Sequence, residues 1–88
     1  MSKLGALRVA EIERRLKEAF APTKLEVVDD SHKHVGHEGA RDGRGHFTVA
    51  IESPAFAGKK PLEIHRMVYD AIGELMQTEI HALSIKAQ

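Results

Sequence analysis

Histidine is the residue type in this chain with the most to offer chemically. There are 6 among 88 residues, and His32, His34, His37 and His46 crowd into one short stretch. In the run H-K-H-V-G-H, from His32 to His37, the imidazoles are two and three residues apart. Imidazole binds borderline and soft metals, and such spacings in a pliable loop let ring nitrogens converge. A second reading is a hydrophilic loop whose histidines hold nothing, because no carboxylate pattern that would orient metal-bound imidazoles accompanies them. A labile Zn²⁺ or Ni²⁺ site confined to this loop is a third.

Two more histidines lie downstream. His65 sits beside Ile64 and one turn before Val68 and Tyr69, at the border of an apolar stripe. That position suits a partly buried ring bonded to a backbone carbonyl and a neighbouring side chain, so no ligand role is assigned to it. His81 stands at the mouth of a short strand. By parity it shares a face with Leu83 and Ile85, as a core-edge residue would, yet a ring at a strand terminus can also reach solvent. Lys59 and Lys60, in the turn G-K-K-P, form a basic pair at a helix N-terminus, where backbone amides can hold an anion. A solvated turn is the plainer account. No Ser/His/Asp ordering, paired-carboxylate motif or Walker-type glycine loop stands out, so no enzyme is expected.

These side chains depend on the elements that carry them. Met1–Ala6 reads as a loose tail, because Gly5 disfavours helix. From Leu7 to Phe20, Val9, Ile12, Leu16, Ala19 and Phe20 recur at helical spacing, and Ala21-Pro22 ends the helix. Lys24–Asp30 alternates as a strand and stops in an Asp-Asp-Ser turn. Ser31–Gly45 holds Gly36, Gly39, Gly43 and Gly45 and reads as a long flexible loop. His46–Ser53 is the second strand, antiparallel to the first, with Phe47, Val49 and Ile51 inward and Thr48 and Glu52 outward. Ser53 caps a single helical turn begun by Pro54 and ended by Gly58.

Pro61 starts the main helix. Its buried stripe is Ile64, Val68, Ala71, Ile72, Leu75 and Met76, with Leu62 and Tyr69 at the edges. Gly73 weakens its interior and invites the close approach of a strand. Ala82–Lys86 is a third strand, joined to the second by a right-handed crossover and therefore parallel to it. The order α-β-β-α-α-β describes one α+β domain over residues 1–88, with a three-stranded mixed sheet.

Bulk composition narrows the function. A chain of this size buries only about 60% of its unfolded surface, which argues against a deep enclosed site for a large substrate. Lys plus Arg and Asp plus Glu number 13 each, so no overall basic field attracts nucleic acid. There is no cysteine, hence no disulfide and no thiolate ligand from this chain. No apolar run approaches the roughly 20 residues that cross a membrane, and Met1–Arg15 lacks a signal-type hydrophobic segment. A soluble cytoplasmic protein is expected.

The pattern F-x-G-x-x-x-L-x-x-H-R-x-V-Y, from Phe56 to Tyr69, is followed by H-A-L at His81, Ala82 and Leu83. Together with L-E-V-V-D-D-S-x-x-H from Leu25 to His34 and H-F-x-V from His46 to Val49, it resembles the BolA-like family over nearly the whole chain. That resemblance implies a fold similar to a class II KH domain. It also implies a monothiol glutaredoxin as partner, in a heterodimer that holds a bridging [2Fe-2S] cluster. The glutaredoxin cysteine and glutathione supply thiolates, and the BolA-like chain supplies imidazoles. Carried over, these are His81 and a loop histidine, best matched by His34, with His32 or His37 as substitutes. No cluster is expected to stay on the isolated chain. The loop is longer and richer in glycine than the family pattern. Neutral imidazole in place of thiolate raises the reduction potential, and protonation competes with ligation. Cluster trafficking or iron and redox regulation would follow.

The family is also associated with transcription, which implies a DNA-binding alternative through Lys59, Lys60 and Arg66. A KH domain clamps the nucleic-acid backbone with GXXG. Here the corresponding turn is Gly58-Lys59-Lys60-Pro61, and the one GXXG, Gly36 to Gly39, falls in the other loop.

Overall fold

Helix α1 spans Lys3–Phe20 in the computed structural model, which describes residues 3–31 and 44–88. It begins before the expected Leu7, so the stretch read as a loose tail is helical from Lys3. Glycine costs a helix interior about 1 kcal/mol relative to alanine, but extending an existing helix adds a hydrogen bond per residue without a new nucleus. Gly5 is also buried, so the absence of a side chain suits its surroundings. Ile12 and Leu16, one turn apart, are the buried face. At the other end Ala21 takes φ 43° and its N–H bonds the Lys17 carbonyl at 3.0 Å, closing the last turn before Pro22.

Strand β1 (Lys24–Asp29) pairs antiparallel with β2 (Gly45–Glu52), matching Leu25 to Ile51 and Val27 to Val49. β2 is central and pairs in parallel with β3 (Ile80–Ala87), matching Phe47 to Leu83 and Val49 to Ile85. Phe47, Val49 and Ile51 are buried as their alternation requires, while Glu26, Val28, Ser84 and Lys86 are exposed.

The expected turn at Ser53 forms a 3₁₀ helix, Pro54–Phe56, whose Ala55 N–H donates to Ser53 Oγ at 3.1 Å. Ser53 Oγ in turn donates to the Phe20 carbonyl at 2.7 Å, tying this turn to the end of α1. Helix α2 starts at Pro61, as expected, but ends at Ile72. Gly73 adopts φ +61°, and a short helix α3 follows over Leu75–Thr78. The single stripe read through Met76 is therefore two helices. What approaches Gly73 closely is the Arg15 guanidinium, 3.3 Å from where a Cβ would stand, and not a strand. Arg15 Nη1 donates to the Ile72 carbonyl at 2.8 Å and Nη2 to Glu74 at 2.6 Å, so a side chain of α1 closes the open end of α2.

The core collects Ile12 and Leu16 of α1, Phe47, Val49 and Ile51 of β2, Ile64, Val68 and Ile72 of α2, Leu75, Ile80 and Phe56. No described helix is long and apolar enough to cross a membrane.

Candidate metal site

The third strand enters the sheet out of step. Ile80 pairs with Gly45, but His46 pairs with Ala82, so His81 is the extra residue of a bulge. Plain alternation would put Ile80 and Leu83 on opposite faces. The bulge lets both contribute to the core, Ile80 wholly buried and Leu83 half-buried against it. An inserted residue re-aims its own side chain. Of the two readings of His81, the structure selects the solvent-facing one: the ring is exposed.

His46, the second residue of β2, is a neighbour of His81 that sequence reasoning missed. Its side chain is only 8% exposed, and its ring centroid lies 5.1 Å from that of His81 at an interplanar angle of 51°. The one signal in the sequence was indirect. In a parallel pair, the start of the second strand lies beside the start of the third, but the offset between them is not visible in either segment.

Several hydrogen bonds hold this corner. The His46 N–H donates to Ser31 Oγ at 3.1 Å, and the Ser31 N–H donates to Asp29 Oδ1 at 2.8 Å. The Asp30 N–H bonds the His46 carbonyl at 2.7 Å, and Thr48 Oγ1 donates to the Asp30 carboxylate. Gly45 donates to the Glu79 carbonyl at 2.9 Å, and a Cβ there would lie 2.6 Å from the Phe47 ring. Only glycine lets β2 begin so close to its own core. Arg8 of α1 meets the Glu79 carboxylate at 3.0 Å, fixing the residue that precedes β3. Arg44, just ahead of β2, places Nη2 3.2 Å from His81 Nδ1 and Nη1 3.5 Å from the Met76 carbonyl oxygen.

The expected loop ligands, His34 with His32 and His37 as substitutes, lie outside the described residues. His65 is half-buried on α2. Lys59, Lys60 and Arg66 are exposed. The basic pair stands at the start of α2, whose 12 residues return toward the β3 entrance; at about 1.5 Å per residue, roughly 18 Å of helix separates the pair from that end. The structure does not bring the two sets together. The Lys60 N–H is also occupied, donating to Glu63 Oε1 at 3.3 Å, so the chain's own carboxylate fills the helix start read as an anion site. Among the described residues no group of three or more His, Cys, Asp or Glu is placed to hold a metal ion. Its described residues therefore offer an open pair of imidazoles, one presented and one buried, and not a closed metal cage.

Three helices and a three-stranded mixed sheet of this order define a small α+β domain. The chain belongs to the BolA-like protein family, whose sequence pattern matches residues 16–88. It is 42% identical to a Sinorhizobium protein described as uncharacterized, in the cobS 5′ region, over 85% of this chain and 83% of that one. It is 40% identical to the DNA-binding transcriptional regulator BolA of Escherichia coli K12, over 84% of this chain and 68% of that one. Among solved structures, the BolA domain of SufE1 from Arabidopsis thaliana matches with a TM-score of 0.81 and 37% identity, covering 92% and 90% of the two chains. This chain spans only 23% of the whole Arabidopsis SufE-like protein 1.

Proposed function

We propose that this chain is a non-catalytic partner of a monothiol glutaredoxin, supplying imidazole ligands to a [2Fe-2S] cluster at the heterodimer interface. The observation that carries this reading is the bulge at His81. It presents an exposed imidazole at the sheet edge, beside Arg44 on one flank of segment 32–43 and beside His46, to which Ser31 on the other flank is bonded. With no cysteine, the chain supplies no thiolate of its own. That suits a shared centre whose thiolates come from the glutaredoxin and from glutathione.

His81 is one ligand and His34 the other, with His32 or His37 able to replace it. Ser31, bonded to His46, stands at the near flank of the segment. His46 is buried and acts as the support against which the His81 ring rests. When bound, the cluster supplies transferable iron and sulfide and a redox centre, and the role that follows is cytoplasmic cluster trafficking or iron and redox regulation. Coexpression with the glutaredoxin tests this. His81→Ala should bleach the cluster's visible absorption in the purified pair, and an unchanged spectrum would rule His81 out.

A second reading, a DNA-binding regulator using a KH-like surface, is favoured by the Escherichia coli relative of that name. It would use Lys59, Lys60 and Arg66. Zero net charge and the Glu63 carboxylate at the helix start count against it. A gel shift with the cluster-free chain, repeated at rising salt, separates the two readings, because phosphate contacts weaken steeply with salt.

A further inference from the structure

We infer that Arg44 guards His81: its guanidinium and an incoming metal centre compete for the same imidazole lone pair. This rests on the reading of His81 as an iron ligand. Arg44 Nη2 lies 3.2 Å from His81 Nδ1. A guanidinium has donors only, so the imidazole must accept at Nδ1. A neutral imidazole has a single accepting nitrogen, which leaves the ring proton on Nε2.

Ligation needs that one lone pair. A metal bound through Nδ1 takes the position of the Arg44 hydrogen directly. A metal bound through Nε2 requires the ring proton to move to Nδ1, where it would face an N–H of Arg44. Neither state keeps the Arg44–His81 bond. The guard is also placed by the fold. Arg44 is half-buried, directly precedes β2, and reaches the Met76 carbonyl oxygen with its other terminal nitrogen at 3.5 Å. Its guanidinium therefore bridges α3 and the start of β3. The hydrogen bond from Arg44 favours the tautomer that cannot ligate without its departure.

The test uses the full chain, Zn²⁺ as probe, and Arg44→Met, which keeps the aliphatic stem and removes every donor. Proton–nitrogen correlation spectra of the metal-free wild type should show His81 as the Nε2–H tautomer, and Arg44→Met should turn it into a mixture. Zn²⁺ should bind Arg44→Met about tenfold more tightly, the low end of what a hydrogen bond to a charged group is worth. Loss of a like charge alone would tighten Zn²⁺ binding without moving the tautomer, and that result would overturn the guard. So would unchanged tautomer and affinity in Arg44→Met while His81→Ala abolishes Zn²⁺ binding, an outcome that spares His81 as a ligand. If His81→Ala leaves both Zn²⁺ binding and the cluster of the glutaredoxin pair intact, the ligand reading falls and the guard with it.

Discussion

The His46 and His81 rings lie 5.1 Å apart at 51°, yet one is buried in the sheet and the other faces solvent. A fixed ring therefore backs a presented one. His46→Ala removes the backing and leaves a hole behind His81, while the backbone bonds of His46 to Ser31 and Asp30 remain. It should cost about 2 kcal/mol of stability, within the range of about 0.5–3 kcal/mol usual for a single destabilising substitution. Urea unfolding would measure this. The same variant should shorten cluster lifetime in the glutaredoxin pair even though His81 remains.

Deleting His81 is the sharper experiment. The pairs Gly45–Ile80, His46–Ala82 and Phe47–Leu83 become an unbroken ladder once the extra residue is gone. The deletion should therefore fold with stability within about 1 kcal/mol of wild type, since bulges disrupt rather than build a ladder. Cluster absorption should be lost. A deletion variant that cannot fold would show that the bulge is a structural necessity and not a device for presenting His81.

Gly45 marks the tightest packing at this corner. Gly45→Ala drives a methyl to 2.6 Å from the Phe47 ring and 2.9 Å from Ser31 Oγ. Overpacking of this kind costs about 1–3 kcal/mol. Thermal unfolding should register it as a lower midpoint.

Ala21 offers the opposite change. It holds φ 43°, a left-handed conformation that costs an L-residue about 1–2 kcal/mol. Glycine relieves that strain but gains about 0.4–1 kcal/mol of unfolded-chain entropy. Ala21→Gly should come out stabilising by about 0.5 kcal/mol or slightly more, read as a higher urea midpoint at an unchanged slope.

Acid should loosen the junction of α1, α2 and α3. The hydrogen bond from Arg15, with help from Glu74's own backbone and the charge of Arg15, holds the Glu74 carboxyl down to about 2. A depressed folded-state value stabilises above the unfolded carboxylate range and is lost as pH falls through the folded value. This contribution should be whole at about pH 5 and above and fade toward about pH 2. Glu11, lowered first by its hydrogen bond from Arg14, acts in the same direction. Glu74→Gln should flatten the acid limb of a plot of urea midpoint against pH. A limb as steep as wild type would show that the Arg15–Glu74 pair contributes nothing.

Much of this protein is legible residue by residue. The spacing of Ile12 and Leu16, the alternation of Phe47, Val49 and Ile51, and the prolines at 54 and 61 locate α1, β2, the 3₁₀ turn and the start of α2. Each is a local pattern, because burial of one face and the fixed φ of proline act within a few residues. At Gly5 and Gly73 propensity alone misleads because it too is local: helix extension outweighs it at Gly5, and a cap supplied by distant Arg15 exploits it at Gly73. The chemistry at the β3 entrance depends on relationships between segments far apart in the chain. Alternation alone allowed His81 either face, and only the pairing of Ile80 with Gly45 and Ala82 with His46 turned it outward. The same offset put His46 behind it and Arg44 on its Nδ1. Residue types and spacing determined the elements and the family; strand register, set by burying Ile80 and Leu83 together, decided which histidine faces solvent at the start of β3.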